Sequence, residues 1–369
     1  MTRWRPFVLE RWFARFEHSL AHMLSSSDCA PISARDLLAL AGGSADELLD
    51  LRLGYTESRG APALRAALAP WYPGCTADDV LVAGAPQEAI LLLLQVCLRK
   101  GDRVVVQTPC YQSLRDVAVE LGCEVVPWPV RLDGSRAALD VDALPELLGA
   151  GTRMLITNAP HNPTGAMPDR AQWDAIAALV RERGVRWFSD EMYRGLARTD
   201  QHELPPAASL VPGAISLWGL SKSLNLPGLR LGWLACRDRD LLAAVEQQKD
   251  WTSICNNALA EVLAVHALRA AGHLFAQNRA LIARNGAAMA AFAARHGDLL
   301  AFTGPAAGPV ALCQVRRGTA TELAERVRTR GDAMLVPSAL FGLEDRWLRI
   351  GLGRQEFAAA LAAFERALA

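Results

Sequence analysis

The sequence predicts an α/β protein with a large domain, a mainly parallel sheet between helices, and a smaller α+β domain. Three observations carry this reading. Short β-like runs alternate with helical stretches from Val80 to Ala235, and the runs are apolar almost throughout. Near Asp240 the alternation stops and long helical stretches take over. Strands that alternate with helices favour parallel pairing, and uninterrupted apolar runs mark strands buried on both faces.

Taken in order, Val80-Leu-Val-Ala83 precedes a helical run from Gln87 to Arg99. Arg103 to Gln107 precedes a helix from Ser113 to Leu121, and Glu124 to Trp128 follows. Met154 to Thr157 precedes a helix from Gln172 to Arg183. Arg186 to Ser189, Ala214 to Leu217 and Leu231 to Ala235 complete a set of seven runs. Beyond Asp240, Val310 to Val315 and Trp347 to Leu352 read as strands before a final helix. At the other end, the spacing of Phe7, Leu9, Trp12, Phe13 and Phe16 suits an amphipathic helix packed on the body of the protein. These limits place the large domain at 45–245 and assign 1–44 and 246–369 to the small one.

The chain has 369 residues, enough for roughly two domains. Lys+Arg and Asp+Glu are both 39, and zero net charge argues against broad binding to a nucleic-acid backbone. The first twenty residues are broken by charges and lack the apolar core of a signal peptide. The run from Ala89 to Leu98 is too short to span a membrane. Eight cysteines show no CxxC pair and no neighbouring histidine cluster, which speaks against zinc and against a disulfide framework. A cytoplasmic location is expected, with the cysteines as small core residues.

Ligands bind beyond the carboxyl ends of strands in open parallel sheets. Here those ends carry Gly84-Ala-Pro-Gln-Glu88, Thr108-Pro-Cys-Tyr111, Asn158-Ala-Pro-His-Asn162, Asp190-Glu-Met-Tyr193 and Trp218-Gly-Leu-Ser-Lys222. Lys222 stands out because it directly follows an apolar strand. A buried ammonium is costly unless paired or deprotonated. Either the side chain snorkels outwards, or its amine is kept partly neutral to attack a carbonyl.

Three motifs in order, NAPHNPTG (158–165), SDEMYRGL (189–196) and GLSKSLNLPGLRLGW (219–233), resemble the class I/II aminotransferases, pyridoxal-phosphate enzymes of fold type I. The resemblance runs over essentially the whole chain and is strongest from Leu53 to Trp233. LSSSDC (24–29), PCYQSL (109–114) and NAPHNPTG are also similar to a subgroup of bacterial aminotransferase-like proteins near capreomycidine synthase.

The resemblance implies a role for each matching residue. Lys222 would form the internal aldimine with pyridoxal 5'-phosphate and then move the substrate α-proton. Asp190 would face the pyridine nitrogen and keep it protonated, so that the ring accepts electrons. Tyr193 and Asn162 would hydrogen-bond the phenolic oxygen, and Tyr111 would stack on the ring. Arg230, Ser221 and the loop Ala85-Pro86-Gln87 at a helix start would hold the phosphate. Two departures stand out there: Pro86 has no N–H to give, and Gly219 stands where many relatives carry a serine. Tyr55, in GYTESRG, would reach the phosphate of a neighbouring subunit, which implies a homodimer with shared sites. Arg349 would grip the substrate α-carboxylate bidentately, beside Asn162. His161 reads as a loop residue without chemistry.

The expected activity is transfer of the amino group of an L-amino acid to a 2-oxo acid. The alternative is a lyase or cyclase acting on an amino acid, as in capreomycidine synthesis. A non-catalytic partner or regulator of the same fold is disfavoured, because Lys222, Asp190 and Arg349 are all present. Asp250 to Ile254 and Ser26 to Asp28 are read as pocket walls.

Overall fold

The seven apolar runs pair into one sheet. In a computed structural model of the chain, which describes residues 4–368, these strands are Val80–Ala83 (β1), Arg103–Thr108 (β2), Glu124–Pro129 (β3), Thr152–Asn158 (β4), Arg186–Asp190 (β5), Ile215–Gly219 (β6) and Gly232–Ala235 (β7). Their spatial order is β1-β7-β6-β5-β4-β2-β3. The pairs from β6 to β3 are parallel, whereas β7 runs antiparallel to both β6 and β1. The reversal has a functional consequence. The chain leaves β6 and re-enters the same edge through β7, so Lys222 and Arg230 share one short return loop.

Successive side chains on a strand point to opposite faces. Val104 and Val106 face one layer with Leu81, Ile156 and Leu217, while Val105 faces the other with Leu155 and Trp187. The first layer is covered by Pro86–Cys97, Gln112–Glu120 and Arg239–Lys249, the second by Arg170–Arg183. The smaller unit is an antiparallel sheet in the order Leu300–Phe302 (β8), Val310–Val315 (β9), Trp347–Gly351 (β11), Val336–Pro337 (β10). Its core also takes residues from Ala320–Gly331 and Phe357–Leu368.

The packing does not divide at 44/45 and 245/246. Leu37 and Leu38, from Ala34–Ala41, pack on the large sheet beside Val82, Trp218 and Trp233. The 38-residue helix Ala258–Arg295 serves both units: Leu263 and Leu274 join the large-domain core, while Ile282 and Phe292 join the small one. By length and composition this helix could cross a membrane, yet its apolar side chains are largely committed to these two cores. All eight cysteines are unpaired.

The amphipathic N-terminal helix forms at Val8–Phe16, and Leu9 and Phe16 pack with Met334 and Phe341 of the small unit. Farther on, Leu24 to Asp28 lies along the edge of β11. The Gly351 amide donates to Leu24 O at 2.7 Å, and the Ala30 amide to Gly353 O at 2.8 Å. The fit leaves no room for side chains: a Cβ on Gly351 would sit 1.9 Å from Ser26 O, and one on Gly353 2.4 Å from Asp28 O. Gly351→Ala should therefore destabilise the protein by about 1–3 kcal/mol, the usual range for overpacking. Gly272→Ala is the control, because that helical position is open and the change should stabilise slightly. Denaturant melts of the two variants check the pair.

Candidate active site

A cavity of about 550 Å³ opens at the carboxyl edge of β4, β5 and β6, under the N-terminal helix. The register places Asn158 opposite Asp190, and Asp190 opposite Leu217, so the ends of three strands form its floor. Asp190 is buried, and one carboxylate oxygen accepts the Met192 amide at 3.0 Å. Burial is the main cause that raises its carboxyl from 3.8 to about 7; the Met192 amide and the Lys222 cation pull the other way. This is a carboxylate in need of a cation.

The loop after β4 is held by its own side chains. Asn158 Nδ2 donates to Asp190 O at 3.0 Å, and Asn158 Oδ1 accepts the Asn162 amide at 2.7 Å. His161 is fully buried against Thr164 Oγ1 at 2.7 Å, and burial pushes its imidazole down to about 4. The ring is a neutral brace for the loop that presents Asn162.

Lys222 Nζ lies 2.8 Å from Ser27 Oγ and faces the cavity. Burial lowers its pKa; Asp28 opposes that shift and Arg349 adds to it. Its amine is thus easier to deprotonate than that of a free lysine, and it points into the cavity rather than out to solvent. Tyr193 is buried and lines the same cavity.

Arg349 is 1% exposed. Its Nη1 donates to Asn162 Oδ1 at 3.2 Å and its Nη2 to Ser25 O at 2.7 Å, while Nε has no partner. The guanidinium sits between the rings of Phe13 and Phe341, 5.5 and 5.4 Å from their centroids. None of these neighbours is an anion, and burying a charge without one is expensive.

The far end of the cavity combines the start of Pro86–Cys97 with Ser221 and Arg230. Ser221 Oγ is buried and has no partner. Arg230 adopts a left-handed backbone (φ 49°) and is exposed at the mouth, where its Nη1 donates to Pro227 O at 2.8 Å. Gln87 Oε1 accepts the Ser113 hydroxyl at 3.0 Å, which leaves the Gln87 amide and side-chain nitrogen for a ligand. Pro86 and Gly219 belong together. A Cβ on Gly219 would lie 2.8 Å from Pro86 Cγ and 2.9 Å from Leu231 O, and one on Gly232 2.7 Å from Pro86. The missing serine is thus the space that the proline ring occupies.

Tyr111 lines the cavity, with its hydroxyl 2.8 Å from Glu10 Oε1 and its ring 5.2 Å from Phe7. Ala85 caps the helix just behind the wall and does not line the cavity. Tyr55 stands apart: it is 95% exposed, on a segment tied to Asn256 through Thr56. Trp251 and Ile254 are likewise exposed on the surface, so Asp250 to Ile254 is no wall of this cavity, whereas Ser26 to Asp28 is. Sequence reasoning passed over Glu10, Phe7 and Phe13. The amphipathic spacing located their helix but not what it covers. It also passed over Asn158, although that residue lies inside a quoted motif.

The donor set fits pyridoxal 5'-phosphate. Ser221, Gln87 and Arg230 would take the phosphate, Asp190 the ring nitrogen, and Lys222 the aldehyde carbon. Bound there, the group supplies a carbonyl for the lysine and a ring that withdraws electrons from a substrate carbon. Fold and site together define a pyridoxal-phosphate-dependent enzyme of fold type I. More narrowly, the chain belongs to the aminotransferase class I and II family, whose model matches residues 46–363.

Among its relatives is the capreomycidine synthase of Streptomyces vinaceus, 30% identical over 328 residues that cover 87% of this chain and 82% of that protein. The arginine–pyruvate transaminase of Pseudomonas aeruginosa is 32% identical over 195 residues, covering 51% of this chain and 49% of that enzyme. The chain thus matches about half the length of the transaminase but most of the synthase. The crystal structure of the pyridoxal-phosphate-dependent cyclase OrfR superposes with a TM-score of 0.91 at 31% identity, covering 99% of this chain and 97% of that one.

Two outcomes follow from the geometry. Without cofactor, the folded chain keeps the Asp190 proton up to about pH 7, whereas the unfolded chain releases it near 3.8. The folded state binds more protons in that window, so the cofactor-free protein loses stability as pH rises through it. Asp190→Asn should remove that loss and gain most over the native chain above pH 7, as read by thermal melts at pH 5 and pH 8. Gly219→Ser should not strengthen phosphate binding. It should destabilise the protein by about 1–3 kcal/mol and weaken cofactor affinity in an absorbance titration, because the new side chain meets Pro86.

Proposed function

We propose that this enzyme transfers the amino group of an L-amino acid to a 2-oxo acid, with the cofactor carried on Lys222. The observation that carries the reading is Arg349: a buried guanidinium without an anion, facing the cavity that holds the Lys222 amine. An α-carboxylate satisfies it bidentately and brings the α-carbon towards the lysine. Lys222 then moves the α-proton, Asp190 balances the ring nitrogen, and Tyr193 with Asn162 tunes the phenolic oxygen. Arg349→Ala should lower kcat/KM roughly ten- to a hundredfold for every amino acid tried, and simple amines should be poor donors throughout.

A second reading, a lyase or cyclase, is favoured by the similarity to capreomycidine synthase and to the cyclase structure over most of the chain. The wall of the cavity bears on the substrate in either case. Glu10 has Tyr111 as its hydrogen-bond partner and, with Glu17, faces the cavity, where Arg11 is the one cation from the same helix. On that wall, though not over the whole cavity, carboxylates outnumber cations, which suits a cationic side chain and is in keeping with a relative named for arginine. Products separate the two readings. Transfer needs a 2-oxo acid and gives ping-pong kinetics, whereas acceptor-independent release of ammonia or of a cyclised product from arginine or its derivatives would replace the first reading with the second.

The same proposal includes a cytoplasmic homodimer. Leu49, Leu53, Tyr55, Trp251 and Ile254 are 79, 75, 95, 85 and 54% exposed. Such apolar exposure suits burial by a second copy that receives Tyr55 in its own phosphate site. Mixing inactive Lys222→Ala and impaired Tyr55→Phe chains should then restore activity in the heterodimer. Absence of recovery in subunits shown to exchange rejects the sharing.

A further inference from the structure

We infer that Ser27 is a positioning residue: its hydroxyl sets the direction of the Lys222 amine and couples it to the arginine that awaits the substrate carboxylate. The inference rests on the cofactor assignment above and concerns a residue that the family motifs around Lys222 do not contain.

Three consecutive serines do three different things. Ser25 Oγ donates to Arg349 O at 2.5 Å and accepts the Val336 amide at 2.9 Å, while Ser25 O accepts from the Arg349 guanidinium. Ser26 is buried, and its carbonyl presses on Gly351. Ser27 turns the other way, half-buried, into the cavity, where its Oγ accepts from Lys222 Nζ at 2.8 Å. The next residue, Asp28, is clamped by Arg354 Nη2 at 2.8 and 2.9 Å to its two carboxylate oxygens. Ser27 is therefore braced on both sides by contacts that have nothing to do with its own side chain. Such rigid support holds a group in productive geometry.

Lysine ends in a flexible stem, and its amine finds its direction only through partners. Here the hydrogen-bond partner is Ser27, and no other bond to Lys222 Nζ is formed among the described residues. The bond joins the β6–β7 loop to the N-terminal segment, and that segment grips Arg349 two residues earlier. Correct placement of Arg349 and correct placement of the amine thus depend on one short piece of chain.

The test uses the full chain freed of cofactor, the variants Ser27→Ala, Ser27→Cys and Ser27→Thr, and pyridoxal 5'-phosphate as the probe. Covalent attachment is followed by absorbance and trapped with borohydride, so that peptide mapping shows the site. One lost hydrogen bond, at about 1 kcal/mol, corresponds to roughly a fivefold effect on the rate. Ser27→Ala and Ser27→Cys should attach the cofactor at Lys222 about five- to tenfold more slowly, with unchanged final occupancy and an unchanged unfolding midpoint. Ser27→Thr, which keeps the hydroxyl, should fall within about twofold of the native rate. A native rate in Ser27→Ala overturns the inference. So does a slow Ser27→Thr of native stability, because then the hydroxyl is not what matters. If the native chain takes no cofactor on Lys222, the cofactor assignment itself falls, and that is seen before any variant is compared.

Discussion

The site depends on the close seating of Leu24 to Asp28 against β11. Two glycines, Gly351 and Gly353, let one backbone lie directly on the other. The N-terminal segment, a strand of the small unit and the lysine loop of the large sheet then meet in one layer of hydrogen bonds. A residue with a Cβ at either glycine would push the segment outwards. Ser27 would leave Lys222, Ser25 O would leave Arg349, and the cavity would lose two of its working groups together.

The electrostatics of the cavity follow from this closure. Arg349 and Asp190 are buried and Lys222 is half-buried, and burial pushes each towards its neutral form. None forms an ion pair among the described residues, although the charges of Asp28 and Glu10 act on Lys222 and Arg349 from a distance. Asp28, in the cavity wall, does have a partner: Arg354 lies 2.8 Å away. The contrast separates structure from function. A paired buried charge holds the wall, while an unpaired one costs stability that only a ligand returns. A cofactor with a cationic ring nitrogen answers Asp190, and a carboxylate substrate answers Arg349.

The large sheet was legible because its strands are apolar on both faces, and the motif loops were legible because they sit at strand ends. What escaped was set by tertiary contact. Nothing local in Gly232–Ala235 distinguishes an antiparallel strand from a parallel one, yet that direction is what returns Arg230 to the edge where Lys222 lies. Helix Ala258–Arg295 reads as one element in the sequence, yet it packs into two cores, which only its tertiary contacts show. Glu10 looks like any charged residue on the wet face of an amphipathic helix. It became a wall residue because Tyr111 reaches it across a hundred residues of chain. Tyr55 carried a clear motif, but its place lies outside the cavity of its own chain.

The phosphate end shows how two apparent losses can be a single feature. Read separately, Pro86 removes an amide donor and Gly219 removes a hydroxyl, which suggests a degraded site. Together with Gly232 they form a packed contact, in which a proline ring fills the volume that two absent Cβ atoms leave free. Proline also fixes the first turn of Pro86–Cys97, where its missing N–H satisfies no helical bond anyway. The helix start is therefore stiff before any ligand arrives. Stiffness lowers the ordering cost of binding, while the number of donors sets its enthalpy. With the serine gone, the charge of Arg230, the unpartnered Ser221 hydroxyl and the first-turn amides of Gln87 and Glu88, which precede the first helical bond from Ala89, are the donors left for a dianion. A phosphate site of this kind relies more on preorganisation than on a dense ring of hydroxyls.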